Sequence, residues 1–191
     1  MAADRTLDTR REAPLRSLLF APGNHARRRE KALECGADAV ILDLEDAVPP
    51  AEKAAAREAL AALLAAARPC QAWVRVNAAD SPWCWGDLQA LVREGLDGIV
   101  VPKAEDAASL STLDWVISQL ERERGLTPGG IPIIPLVESA RGVAAATAIA
   151  AASPRIARLS YGVADYSREL GLAPGDDEAP LDWVRAQLVQ A

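Results

Sequence analysis

Six short apolar runs, each followed by a stretch of helical character, constrain the possible folds of this chain more than any other feature. The runs are Arg16–Ala21 (RSLLFA), Ala39–Leu44 (AVILDL), Trp73–Val76 (WVRV), Gly98–Val101 (GIVV), Ile131–Val137 (IPIIPLV) and Ile156–Tyr161 (IARLSY). Their residues are mostly continuous in hydrophobicity rather than alternating. That pattern belongs to strands covered on both faces, hence to a parallel sheet flanked by helices.

The intervening segments carry helix signals. Asn24 is placed to cap a helix to about Cys35, which Gly36 ends. Pro50 opens an Ala-rich helix to about Ala67, and further helices are expected over about Trp85–Arg93 and Gly142–Ala152. Asp106 caps a helix to about Arg124, and a last one starts near Leu181 after a polar loop over Gly171–Pro180. The order is β-α-β-α throughout, in one domain spanning 16–191, preceded by a polar, mixed-charge tail over 1–15.

Two folds fit this order: an open doubly wound sheet and a (β/α) barrel. In both, ligands gather at the C-terminal ends of the strands. Here the exits of strands two to six all carry ionisable residues: Asp43, Glu45 and Asp46, then Arg75 with Asn77, then Lys103, then Glu138, then Asp165. An open sheet needs such groups at one switch point only, whereas a barrel brings every exit to one mouth. The distribution predicts an α/β fold of (β/α)8 TIM-barrel type. About six β/α units are countable, so the barrel reads as C-terminally truncated, since a full one takes ~250 residues. No G-x-G-x-x-G follows the first strand, and no phosphate-cradling lysine loop occurs.

Charge narrows the partners. A net charge of -6 argues against nucleic acid, whose phosphates require clustered Lys and Arg. No apolar run approaches the ~20 residues needed to span a bilayer. Cys35, Cys70 and Cys84 form no paired motif, which fits ordinary thiols in a reducing cytoplasm. The basic run Arg27, Arg28 and Arg29 reads as a solvated helix face, with phosphate contact as the alternative. His25 belongs to the start of that helix, and Trp83 and Trp85 to a helix core.

Carboxylates crowded at one mouth repel and raise one another's pKa. A divalent cation relieves this, and oxygen donors without His or paired Cys suit Mg²⁺ rather than zinc. Each residue also has a plainer reading. Glu138 could complement the dipole of a following helix. Asp165 could be a loop or cap residue, Arg75 could be ion-paired with Asp43 or Glu45, and Lys103 could be solvated at the rim.

Six segments together carry a family resemblance. RSLLFAPGN (16–24), DLEDAV (43–48), VRVN (74–77), GIVVPK (98–103), PLVESARG (135–142) and YGVADYSRELG (161–171) resemble the citrate lyase β-subunit-like branch of the HpcH/HpaI aldolase superfamily. The resemblance implies a Mg²⁺-dependent carbon–carbon lyase on a TIM barrel. Such an enzyme cleaves or forms malyl-, citramalyl- or citryl-CoA type esters, with coenzyme A as part of the substrate. It implies Glu138 and Asp165 as metal ligands, Arg75 against the substrate oxyanion or carboxylate, and Glu45 and Asp46 near the metal's waters. Arg16, Arg75 and Lys103 are the expected substrate-binding cations. The His-bearing aldolase branch is disfavoured, because the motif after strand two is wholly acidic. The family's base is a further carboxylate from a C-terminal segment with no counterpart in these residues. A barrel stopping after six strands exposes apolar edges at Arg16–Ala21 and Ile156–Tyr161, so a homo-oligomer or an inactive chain is expected. The alternatives are an incompetent barrel that binds metal, CoA or a partner, and a metal-dependent aldolase acting on free keto acids.

Overall fold

A computed structural model describes residues 15–172 and 178–191; the tail expected over 1–15 lies outside these apart from Leu15. Six parallel strands form one sheet in sequential order: β1 (Leu18–Pro22), β2 (Ala39–Asp43), β3 (Gln71–Arg75), β4 (Gly98–Val101), β5 (Ile133–Val137) and β6 (Ser160–Tyr161). The sheet curls as part of a barrel. Helices α1 (Ala26–Glu34), α2 (Lys53–Leu64), α3 (Cys84–Leu91), α4 (Ala107–Glu123), α5 (Ala140–Ala144) and α6 (Ala146–Ala150) fill the connections, followed by α7 (Val163–Glu169) and α8 (Ala179–Gln190).

Sequential order with every neighbour parallel is barrel topology; a doubly wound sheet would reverse direction around a central strand. The register pairs Asp43 with Arg75 and Arg75 with Val100. Alternate residues therefore face inward. Ala39, Ile41, Trp73, Val100, Ile134 and Leu136 form an inner apolar cluster, with Leu15 and Leu18 against it. The complementary residues, among them Val40, Leu42, Val74, Ile99 and Val137, pack outward under the helices. Trp73 is the largest inner side chain. A Cβ on Gly98 would stand 2.3 Å from its indole, so the ring needs bare backbone at that position.

Several boundaries shift from expectation. Asn24 does not cap α1; its Nδ2 donates to Glu52 Oε2 at 2.6 Å, and His25 takes the cap position without a side-chain bond. A 3-10 turn at Pro50–Glu52 precedes α2. The helix expected over Gly142–Ala152 breaks into α5 and α6 at Ala145. Asp106 caps α4 as expected, accepting from Ser109 N–H at 2.8 Å. The sixth strand is shortened to two residues, with a separate bridge between Ile133 and Ile156. Trp85 is 54% exposed, outside the core assigned to it. Cys70 and Cys84 are buried free thiols, and Cys35 is exposed.

Behind the sheet, Arg155 anchors the N-terminal end of β5. Its guanidinium reaches Asp114 at 2.5 Å, Glu121 at 2.5 Å and the Ile131 carbonyl at 2.9 Å, with no side-chain exposure of its own.

Candidate metal centre at the strand exits

The inward parity of β2, β3 and β5 delivers a side chain at or just beyond the strand end to the mouth. Asp43 ends β2, Arg75 ends β3, and Glu138 follows β5. Asp165 arrives differently, on the first turn of α7, an element the sequence did not reveal. These four residues line one cleft of about 440 Å³, with Phe20 and Tyr161 among its other walls.

Glu138 is the most constrained acid. It is 6% exposed, and its Oε1 accepts the Lys103 backbone N–H at 2.8 Å. Its Oε2 sits where a Cβ on Gly162 would be, only 2.7 Å away. Burial pushes the Glu138 carboxyl up to about 7, opposed by the Lys103 N–H and reinforced by the charges of Asp165 and Glu45. Asp165 is more open and holds Arg168 at 2.6 Å through Oδ1.

Arg75 is gripped from one side by Asp43, Nε to Oδ1 at 2.7 Å and Nη2 to Oδ2 at 2.6 Å, a bidentate fork. Its Nη1 forms an ion pair with Glu45 Oε2 at 3.1 Å, without hydrogen-bond alignment, and lies 4.0 Å from Asp46. Burial lowers the guanidinium pKa, but the bonds to Asp43 outweigh it and the net direction is upward. The ion-pair reading of Arg75 is thus realised, and the residue also lines the cleft. Its guanidinium also stands 5.2 Å from the Phe20 ring centroid.

Glu45 and Lys103 meet at 2.8 Å, Nζ to Oε1, which draws the pKa of Lys103 upward. Lys103 has a φ of 52°, the left-handed region in which only glycine is at ease. That conformation turns its N–H to Glu138 while its side chain returns to Glu45. Asp46, with 59% of its side chain exposed, stands apart from this cluster. Asn77 does not face the cleft, since Asp87 accepts both its backbone N–H and its Nδ2.

Arg16 requires correction. It precedes β1 and pairs with Asp38, which precedes β2, at 2.8 Å. Both lie at the N-terminal end of the strands, opposite the mouth, so this arginine fastens the start of the sheet. The basic run on α1 is also divided: Arg29 donates to the Gly23 carbonyl, and Arg27 and Arg28 are exposed.

Sequence reading missed two contributors. One is Gly162, whose bare backbone admits Glu138. The other is Lys53, which is 5% exposed and donates to the Leu44 and Glu45 carbonyls at 2.7 and 2.8 Å. Its signal was present: Lys53, Ala56, Leu60 and Leu64 form the buried stripe of α2, and a lysine on such a stripe needs buried acceptors.

The donor set suits a hard cation. Among the described residues no three His, Cys, Asp or Glu side chains gather as a metal cage. Two carboxylates leave the remaining positions to water and substrate, as Mg²⁺ prefers. The upward pressure of Asp165 and Glu45 on Glu138 is the repulsion a cation would cancel.

Fold and mouth together define a (β/α)-barrel type protein with an acidic centre at the C-terminal ends of its strands. The chain belongs to the HpcH/HpaI aldolase/citrate lyase family, which it matches over residues 16–191. It is 34% identical over 188 residues to the citrate lyase subunit beta of Escherichia coli K12, covering 97% of this chain and 62% of that protein. It is 38% identical over 167 residues to an L-malyl-CoA/beta-methylmalyl-CoA lyase of Cereibacter sphaeroides, covering 83% of this chain and 51% of the relative. A citrate lyase beta subunit from Mycobacterium tuberculosis, solved with oxaloacetate and magnesium, superposes with a TM-score of 0.71 at 32% identity, covering 94% of this chain and 74% of that one. A Haloferax volcanii malate synthase shares the fold, with a TM-score of 0.76 at 19% identity, covering 91% of this chain and 58% of that one. The chain therefore spans little more than half to three-quarters of the length of these relatives. Among the described residues no helix is long and apolar enough to cross a membrane.

Proposed function

We propose that this chain carries the metal half of a Mg²⁺-dependent lyase acting on a β-hydroxyacyl-CoA of the malyl-, citramalyl- or citryl-CoA type. The observation that carries the reading is the convergence of Glu138 and Asp165 on one cleft whose wall includes Arg75. The binding of oxaloacetate and magnesium by a 32% identical relative supports it. Glu138 and Asp165 hold the cation. Bound Mg²⁺ supplies Lewis acidity toward the oxygens of the keto-acid fragment. Arg75, fixed by Asp43, turns its face to the carboxylate or oxyanion of the substrate, where a preoriented charge in a partly dry site stabilises developing negative charge. Glu45 orients Arg75 and Lys103, and Asp46 remains available to solvent around the metal. Lys103 stands at the rim as a cation for the ester.

Incubation of the purified chain with Mg²⁺ and malyl-, citramalyl- or citryl-CoA tests the reading through release of keto acid or acid and acyl-CoA. Turnover of free keto-acid aldols in place of the esters points to an aldolase instead. Calorimetric Mg²⁺ binding that survives both Glu138→Gln and Asp165→Asn removes the proposed centre. The same reading includes self-association in the cytoplasm. Among the described residues β1 has one strand neighbour, and its Leu19 and Phe20 are 42% and 46% exposed. Light scattering showing a monodisperse monomer excludes the self-association.

A further inference from the structure

Lys53 lies outside the cleft, yet its ammonium is buried directly beneath the acidic exit of β2. Its Nζ donates to the Leu44 carbonyl at 2.7 Å and the Glu45 carbonyl at 2.8 Å, and stands 5.1 Å from the centre of the Trp83 ring. An ammonium has three donors and no acceptor, so two go to carbonyls and the remaining side rests against an aromatic face. From the other side, Asp43 accepts the N–H of Glu45 at 2.9 Å and of Ala47 at 3.0 Å. The turn is thus clamped between a buried cation on its carbonyls and a buried anion on its amides.

We propose that Lys53 is a positioning residue that fixes the Leu44–Glu45 backbone and thereby aims the Glu45 carboxylate at Arg75 and Lys103. The inference rests on the lyase reading for its chemical meaning but not for its geometry. Glu45 reaches Arg75 Nη1 at 3.1 Å and Lys103 Nζ at 2.8 Å, so a tilt of its backbone changes both contacts at once. Asp46, the next residue, has no comparable side-chain hold beyond a 4.0 Å approach to Arg75. Desolvation pulls the Lys53 pKa down while the charges of Asp87, Asp43, Glu45 and Asp46 raise it. These acids face it from β2, its exit and α3. α2 also contributes Arg57, which pairs with Asp87 at 2.9 Å.

The test uses the full chain, with Lys53→Met as the neutral isostere. Two readouts are taken. Without ligand, amide hydrogen exchange at Glu45 and Ala47 is expected to quicken about tenfold or more, while Ile99 and Ile133 in the sheet keep their protection. Unchanged exchange in the turn overturns the clamp. With saturating Mg²⁺, affinity for oxaloacetate is expected to fall about tenfold, the size typical of groups that orient a ligand-binding residue. Acting through Glu45, this loss should vanish when Lys53→Met is placed in a Glu45→Gln background. Additive losses overturn the positioning role, because a merely structural lysine weakens both backgrounds alike. Should Lys53→Met fail to fold, Lys53→Gln removes the charge and shortens the reach to the two carbonyls. Wild-type oxaloacetate affinity and turn protection in that variant count against the proposal. An unmutated chain that binds no oxaloacetate with Mg²⁺ sinks the lyase reading alone, and the exchange measurement still decides the clamp.

Discussion

Gly162 and Glu138 occupy one another's space: a Cβ on the glycine would lie 2.5 Å from Glu138 Cβ and 2.7 Å from its Oε2. The φ of Gly162 is -89°, open to any residue, so this glycine is required for room rather than for conformation. Gly162→Ala is expected to displace the carboxylate, weaken Mg²⁺ binding at least about tenfold and cost about 1–3 kcal/mol of stability through overpacking. Calorimetry and thermal unfolding of the variant measure the two effects. Unchanged Mg²⁺ affinity in a folded Gly162→Ala protein would show that the carboxylate beside it is not a ligand.

Proton competition follows from the upward-shifted Glu138 carboxyl. A cation needs the ionised form, and the group titrates at about 7. Mg²⁺ affinity should therefore climb as pH rises toward 7, level off above it, and be accompanied by proton release. The metal-free protein should respond oppositely. Between the ordinary value of 4.5 and about 7 the folded state holds the proton more tightly than the unfolded state, so this group's contribution to stability declines as pH rises through that window. Glu138→Gln should flatten both dependences; titrations in buffers of different ionisation enthalpy report the released proton.

Arg75 and Asp43 form a fork whose loss leaves a buried charge with a single close anion, Glu45. Asp43→Asn removes the bidentate anion from a guanidinium whose side chain is 11% exposed, leaving it the Glu45 ion pair at 3.1 Å, and it also disturbs the acceptors of the Glu45 and Ala47 amides. A loss of about 3 kcal/mol is expected, the range for breaking a buried pair. Arg75→Lys keeps the charge but cannot fork, so it should cost less stability while removing oxaloacetate binding in Mg²⁺. Full ligand affinity in Arg75→Lys rules out the substrate role.

Acid sensitivity is assigned to the far end of the sheet. Burial raises the Glu121 and Asp114 carboxyls, but Arg155 and neighbouring hydrogen bonds win, and both end below their ordinary values. Their contribution is present above the unfolded-state pKa and is lost as pH falls through the depressed folded values. Denaturant midpoints should drop steeply in acid. Glu121→Gln should remove part of that dependence while costing about 3 kcal/mol at neutral pH, because Arg155 stays buried with Asp114 as its remaining carboxylate partner.

The barrel topology was legible because uniformly apolar runs and ionisable exits are properties of local sequence. Asp43, Arg75 and Glu138 needed only strand parity to be placed at one mouth. Arg16 misled because its role came from the motif it opens, although the run Arg16–Ala21 already put it at the start of a strand; there it pairs with Asp38, just before β2. Asp165 was located without its helix, since α7 spans only seven residues and has no side-chain cap. The role of Gly162 could not be read from sequence at all, because it depends on where the Glu138 side chain comes to rest. The division of Gly142–Ala152 into α5 and α6 was equally hidden, as alanine carries no signal of where a helix pauses.

The left-handed backbone at Lys103, with its φ of 52°, sets stability against the proposed chemistry at a single position. Glycine would adopt that conformation freely, whereas a lysine there leaves the fold about 1 kcal/mol or more above its unstrained alternative. A sequence chosen for thermal endurance alone would discard the side chain. Stabilisation of this scaffold by relieving backbone strain would therefore be drawn to the residue that joins Glu45 to Glu138, and the hardier protein would have a looser mouth.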